Sequence, residues 1–119
     1  MKLLIVDDSL MMRKIVERSL AERKFTVVGS ASDGIEALRI FNETLPDLVT
    51  LDITMPKMDG LAVLEEMLKI KSDARILMIT SQTDTATSVE ALEKGAAGVL
   101  GKPFSAEQIN AKVKEILGI

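Results

Sequence analysis

The stretch DLVTLDITMPKMDG at residues 47–60 decides the fold of this 119-residue chain. Residues 49–51 form a short β-prone run that ends at a single carboxylate, Asp52, and a proline–glycine turn follows. Such a run predicts a buried strand that brings one acid to the edge of a sheet. Asp52 could equally be a polar residue at the start of a loop, and the rest of the chain has to distinguish these two interpretations.

Length and composition indicate one globular domain over residues 1–119. Hydrophobic residues make up 47% of the chain and charged residues 28%, which is typical of soluble proteins. No apolar run approaches the roughly 18 residues of a membrane span, and the N-terminus does not resemble a signal peptide. We therefore expect a cytoplasmic protein without a membrane partner.

The residue types that are missing limit the possible chemistry. The chain has no Cys and no His, which excludes disulfides, the usual zinc sites and a Ser-His-Asp triad. Any chemistry must use carboxylates, hydroxyls and lysines, and a bound metal would be a hard cation such as Mg²⁺. The 15 basic residues are scattered and the net charge is −3, so nucleic acid is not an expected direct partner.

Hydrophobic patterns predict four further strands, so that five strands alternate with five helices. The other strands are predicted at Lys2–Val6, 25–30, Arg75–Thr80 and 97–101, and the helices at 9–23, from Asp33, from Asp59, at about 84–94 and from Ser105. Strict alternation favours a parallel sheet with helices on both faces, because parallel neighbours need crossover connections. The predicted fold is a doubly wound (βα)5, flavodoxin-like three-layer α/β sandwich with strand order 2-1-3-4-5.

Helical periodicity indicates which side of each helix is buried. The residues expected in the core are Met12, Ile15, Val16 and Leu20 of the first helix, Ile35, Leu38 and Phe41 of the second, Leu61, Leu64 and Leu68 of the third, Val89 and Leu92 of the fourth, and Ile109, Val113, Ile116 and Leu117 of the last. The fourth helix contains weak helix formers and is expected to be the loosest. Ser105 and Gln108 match a capping box for the last helix.

Polar residues follow the predicted strands at the points where the strands end. Asp7 and Asp8 follow strand 1, Asp52 ends strand 3, Thr80 ends strand 4 and Lys102 follows strand 5. In the predicted topology they meet at one edge of the sheet, beside the switch point where ligands bind. Each residue alone could be a helix cap, a turn residue or a solvated charge. Together they are the residue types that phosphoryl chemistry uses.

Three carboxylates about 4 Å apart would repel one another by roughly 4 kcal/mol per pair at an effective dielectric constant of about 20. A divalent cation would relieve that repulsion, and Mg²⁺ commonly takes one or two protein carboxylates together with a phosphate. Asp52 is then the natural acceptor of a phosphoryl group, with the Lys102 ammonium neutralising charge and the Thr80 hydroxyl bonding the product. Because the chain has no histidine, a phosphohistidine donor would be another protein.

Four motifs resemble the receiver domains of two-component response regulators, over essentially the whole chain. They are the acids in IVDDS, the acceptor in TLDITMPKMDG, the hydroxyl in MITS and the lysine in GKPF. The resemblance implies that a sensor histidine kinase phosphorylates Asp52. It also implies that Asp8, Asp52 and the Thr54 backbone carbonyl ligate Mg²⁺, with Asp7 assisting through water. Lys102 would pair with the phosphoryl group, Thr80 would move toward it, and the bond between Lys102 and Pro103 would be cis.

The sequence DSLMMR at residues 8–13 and the missing output domain resemble stand-alone chemotaxis receivers of the CheY type. This resemblance implies a monomeric switch, a possible phosphatase and a downstream target such as a component of the flagellar motor switch. The docking surface would be the face of the fourth helix, fifth strand and last helix, with Ala91, Lys94, Val99 and Lys112 as candidates. Such receivers usually carry Tyr or Phe where Val99 stands, so we expect signalling to rely on movement of residues 80–88.

The sequence also allows other interpretations. Within the receiver family, the chain could be a phosphorelay intermediate or a receiver cut from a larger regulator. A haloacid-dehalogenase-like phosphatase also uses a strand-end aspartate with Mg²⁺, but its second acid would stand where Thr54 is. A flavodoxin-like FMN protein would share the fold, but the chain has three aromatic residues and no glycine-rich phosphate loop.

Overall fold

The computed structural model describes residues 1–53, 55, 59–80 and 85–118. Five strands form one parallel sheet in the order β2-β1-β3-β4-β5, as predicted. The strands are β1 (Lys2–Val6), β2 (Thr26–Ala31), β3 (Leu48–Asp52), β4 (Arg75–Thr80) and β5 (Gly98–Gly101). The α-helices are α1 (Leu10–Ser19), α2 (Gly34–Thr44), α3 (Gly60–Ile70), α4 (Thr85–Glu93) and α5 (Ala106–Leu117), and a short 3-10 helix spans Ala21–Arg23. Among these helices, none is long and apolar enough to cross a membrane.

The sheet separates two apolar layers. On one face, α2, α3 and α4 pack around Phe41, Leu64 and Met67, and on the other face α1 and α5 pack around Leu20 and Ile109. Central strand β3 is buried over its whole length because helices cover both of its faces. This burial explains why three of the four residues at 48–51 are apolar. Asp52, which ends the strand, is a charged residue in the same buried environment.

Four of the predicted core residues lie on the outer sides of their helices, so these predictions are wrong. Ile15, Ile35, Val89 and Leu92 are 37%, 62%, 46% and 50% exposed. Each lies about 100° or more around its helix from the buried stripe, given the 100° that separates successive residues. The buried stripes contain Val16 in α1, Gly34, Ala37 and Phe41 in α2, and Ala91 alone in α4.

The ends of the helices follow their sequence signals, with one exception. Asp33, Asp59 and Ser105 accept N-cap hydrogen bonds at the starts of α2, α3 and α5, and Gln108 completes the predicted capping box. The first helix ends at Ser19 instead of continuing to residue 23. The chain then forms the 3-10 helix and leaves it through Lys24, which adopts the left-handed conformation.

Candidate functional site

Three carboxylates meet at the carboxyl edge of the sheet. Oxygens of Asp7, Asp8 and Asp52 all lie within 4.8 Å of one another. Asp7 and Asp52 are 3% and 4% exposed, whereas the Asp8 side chain faces solvent. The sheet order produces this cluster, because β1 and β3 are neighbours and Val6 pairs with Leu51 immediately before the acids. The structure therefore brings together the three acidic residues that the sequence pattern singled out.

A lysine closes this cluster on the side of β5. Lys102 Nζ donates to Asp7 Oδ2 at 2.9 Å and lies 3.8 Å from Asp52 Oδ2, and its side chain is 18% exposed. The Lys102 backbone N–H donates to the carbonyl of Thr80 at 2.7 Å, which joins the loop to β4. The peptide bond between Lys102 and Pro103 is cis, as expected from the family resemblance.

The Asp7 carboxylate is held at both oxygens. Oδ2 accepts from Lys102, and Oδ1 accepts from the backbone N–H of Ser9 at 2.9 Å. The backbone N–H of Asp7 donates to the carbonyl of Ala31 at 3.0 Å, across to β2. The position of Asp7 is thus determined by three separate parts of the fold, and its buried charge is balanced by Lys102.

Two residues close to the acids were not predicted from the sequence. Arg13 of α1 donates from Nη1 to the carbonyl of Asp7 at 2.6 Å. Gly60 packs directly on the end of β3: a Cβ atom at this position would lie 2.4 Å from the Asp52 carbonyl oxygen and 2.6 Å from Ile53 Cα. The DG pair at residues 59–60 could have indicated the close approach, and Arg13 ends the DSLMMR stretch at residues 8–13, although that stretch did not indicate a bond to the Asp7 carbonyl.

Of the two threonines expected at the site, Thr80 lies within the described residues and Thr54 does not. Thr80 is the last residue of β4, is 5% exposed and pairs with Gly101, next to Lys102. Its position at the edge agrees with the prediction. Thr54, expected to offer a backbone carbonyl to the metal, lies outside the described residues, as do residues 81–84 of the segment expected to move.

The docking candidates differ in what their side chains can reach. Ala91 is completely buried, so its side chain cannot contact a partner on this face, and that prediction has to be corrected: the residue lies on the inner side of α4. Val99 is half-buried and packs against the α2–α3–α4 layer. Lys112 is partly exposed, with Nζ 3.8 Å from Glu115 Oε2.

Lys94, the fourth docking candidate, is bound to a neighbouring helix. Its Nζ forms an ion pair and hydrogen bond with Glu65 of α3. This hydrogen bond, together with the charge of Glu65, raises the pKa of Lys94 above its usual value. The cation that could meet a partner at the end of α4 is therefore already occupied by an acid of the same chain.

The response regulator receiver domain model matches residues 3–114 of the chain. The chemotaxis protein CheY of Listeria monocytogenes is 39% identical, and the match covers 92% of both chains. A Guillardia theta protein named "Probable transcriptional regulator ycf27" is 45% identical over 98% of this chain, which spans only 45% of that protein. The CheX–CheY–BeF3–Mg²⁺ complex from Borrelia burgdorferi contains a chain of 32% identity that superimposes with a TM-score of 0.94, covering 98% of this chain and 88% of that one.

Proposed function

Because the chain belongs to the receiver domain family of response regulators, we propose that it is a phosphorylation switch in which Asp52 accepts a phosphoryl group from a histidine kinase. Receiver domains are signalling switches and not enzymes in the usual sense. The observation that carries the proposal is the cluster of Asp7, Asp8 and Asp52 around one lysine, because a carboxylate nucleophile needs its neighbours to balance the charge of the incoming group.

The acidic cluster fits Mg²⁺ by charge and by donor type. It offers three carboxylates within 4.8 Å, two of them buried, and hard oxygen donors are what this ion prefers. Asp8 and Asp52 would be direct ligands together with the Thr54 carbonyl, and Asp7 would assist through water. When bound, Mg²⁺ would neutralise charge on the transferring phosphoryl oxygens.

The remaining steps use side chains of the protein. A carboxylate oxygen of Asp52 forms a bond to phosphorus, the P–N bond to the donor histidine breaks, and its electron pair stays on the imidazole nitrogen. Lys102 leaves Asp7 and pairs with the phosphoryl group, which carries more charge than either carboxylate. Thr80, at the end of the adjacent strand, is the hydroxyl that would donate to the acyl phosphate.

The phosphorylated form would act on a protein target, and we assign the pathway to chemotaxis in the cytoplasm. The match to a CheY protein along nearly its full length supports this assignment. The partners would be a sensor kinase, a phosphatase and a target such as a flagellar motor switch component. Contacts would involve Val99 and Lys112, and Lys94 once it leaves Glu65, while residues 80–88 would carry the change toward α4.

Intact-mass analysis tests the central step. The protein is incubated with acetyl phosphate and Mg²⁺, and the Asp52→Asn variant is treated in the same way. We expect the wild type to gain the mass of one phosphoryl group, and we expect Asp52→Asn and a sample with excess chelator to gain none. Equal labelling of the wild type and the variant would contradict the assignment of Asp52.

A regulator-type output is the second candidate, and the 45% identity to the Guillardia theta protein favours it. In this case phosphorylation of Asp52 would control dimerisation of two receiver domains instead of binding to a motor protein. Light scattering with and without beryllofluoride and Mg²⁺ separates the two outputs. A constant monomer mass supports the chemotaxis assignment, whereas a beryllofluoride-dependent dimer supports the regulator.

A further inference from the structure

Arg13, the fourth residue of α1, reaches back to the loop that precedes its own helix. Its guanidinium turns back toward the start of α1, and Nη1 donates to the Asp7 carbonyl at 2.6 Å. Its Nε atom is buried and has no hydrogen-bond partner among the described residues. A buried donor without an acceptor is unfavourable, so this placement of the guanidinium calls for an explanation beyond packing.

The bond from Arg13 completes the fixation of Asp7. The other polar groups of Asp7 bond to Ala31, Ser9 and Lys102. The carbonyl that Arg13 holds belongs to the peptide that leads into Asp8. Within the described part of the chain, no hydrogen bond or ion pair holds the Asp8 side chain, so its direction depends on that peptide.

Arg13 differs from Lys102 in the kind of atom that it contacts. Lys102 occupies a carboxylate oxygen of Asp7, which the water of a bound metal would have to share. Arg13 contacts a carbonyl, so its hydrogen bond occupies none of the carboxylate oxygens of the three acids. It therefore orders the backbone beside the acids without taking the place of a metal ligand.

We propose that Arg13 is a positioning residue of the acidic site: it holds the peptide between Asp7 and Asp8 so that the Asp8 carboxylate points toward Asp52, ready for a divalent cation. This inference rests on the proposed function. If Arg13 has this role, a metal binds to a loop that is already ordered. The affinity is then higher, because binding does not have to order the loop.

Calorimetric titration of the whole chain with Mg²⁺ tests the proposal without any phosphorylation. Arg13→Met keeps the apolar stem of the side chain and removes both the charge and the donors. We expect its dissociation constant for Mg²⁺ to rise at least fivefold. Lys14→Gln, which removes an exposed charge at the adjacent position of the same helix, should bind as the wild type does.

Two further measurements separate positioning from general stability. Arg13→Lys restores a cation and one donor, and should recover part of the lost affinity. In phosphorylation by acetyl phosphate, Arg13→Met should need more Mg²⁺ for half-maximal rate but approach the wild-type rate at saturation. If Arg13→Met does not fold, Arg13→Gln replaces it, with the same expected fivefold loss.

These measurements distinguish failure of the positioning role of Arg13 from failure of the proposed function. If the wild type binds no Mg²⁺ and is not phosphorylated, the magnesium switch itself is wrong. If the wild type binds Mg²⁺ and a folded Arg13→Met or Arg13→Gln variant binds it within twofold of the wild type, the positioning role of Arg13 is refuted.

Discussion

Lys102 Nζ lies 2.9 Å from Asp7 Oδ2 but 3.8 Å from Asp52 Oδ2, so the lysine is hydrogen-bonded to the neighbour of the proposed phosphoacceptor and not to Asp52 itself. Both carboxylates are buried, and Lys102 donates a hydrogen bond to Asp7 and forms a longer ion pair with Asp52. In this arrangement the lysine neutralises the acids and occupies an Asp7 oxygen that a metal-bound water would use.

Lys102→Met should therefore destabilise the protein and strengthen its binding of Mg²⁺. Removing one partner of a buried ion pair leaves the other charge uncompensated, and the free energy of unfolding should fall by about 3 kcal/mol. Urea unfolding followed by circular dichroism measures this loss. Saturating Mg²⁺ should restore more stability to the variant than to the wild type, and an equal effect on both proteins would contradict the competition between lysine and metal.

Gly60→Ala should destabilise the end of β3. The new Cβ would meet the Asp52 carbonyl oxygen at 2.4 Å and Ile53 Cα at 2.6 Å, and backbone atoms cannot move aside as a flexible side chain can. We expect a loss of about 2 kcal/mol in chemical denaturation, with slower phosphorylation of Asp52. The control is Gly101→Ala, whose Cβ would meet no atom within 4 Å. Similar stability of both variants would argue against the close approach.

Thr50→Val should stabilise the protein. The Thr50 hydroxyl is buried in β3 and, within the described residues, has no hydrogen-bond partner. Valine has nearly the same shape and removes the cost of burying that hydroxyl, so we expect a gain of about 1 kcal/mol. Thr44→Val is the control, because the Thr44 hydroxyl donates to the Ile40 carbonyl at 2.8 Å. A gain in the control, or none at Thr50, would contradict this explanation.

Protonation of Asp47 at low pH should reduce the stability of the protein. Its carboxylate accepts a 2.7 Å bond from the backbone N–H of Lys2, and this bond, followed by the charge of Lys71, lowers the pKa of Asp47 below 3.8. A lowered pKa in the folded state gives stability that is complete above pH 3.8 and is lost as the pH falls through the folded value. The side chain is 42% exposed, so we expect less than about 1 kcal/mol.

Unfolding by urea at a series of pH values measures this contribution. Asp47→Asn should lose less stability than the wild type as the pH falls below 3.8. Lys71→Met should remove only part of the pH dependence, because the backbone hydrogen bond remains. Parallel curves for the wild type and Asp47→Asn would exclude the contribution.

Glu65→Gln should loosen α4. This helix buries only Ala91 and contains weak helix formers, and the ion pair between Glu65 and Lys94 joins its end to α3. Hydrogen exchange of the Thr85–Glu93 amides should become severalfold faster in the variant. Glu66→Gln, which removes an ion pair within α3, should leave that exchange unchanged. Equal protection of α4 in both variants would show that the ion pair does not hold the helix.

The sequence was sufficient to predict the sheet and the convergence of its polar strand ends, because strict alternation favours a doubly wound sheet and the order 2-1-3-4-5 makes β1 and β3 neighbours. It did not predict the orientation of α4, where Val89 and Leu92 looked like core residues. Burial in a helix depends on where the neighbouring layer lies, and a small residue such as Ala91 allows the closest approach. Arg13 was missed for a related reason, since its bond to a backbone carbonyl leaves no trace in a pattern of side chains.

The contact between Gly60 and the Asp52 carbonyl also has a mechanical consequence. Where a helix backbone rests directly on the backbone of a strand, the two can only be displaced together, so α3 behaves as a rigid extension of β3. On the other side of the site, β4 leads to a helix with a single buried residue. We therefore expect strain generated at Asp52 to be relieved toward α4, the less tightly packed helix, so that the proposed signal would travel in that direction.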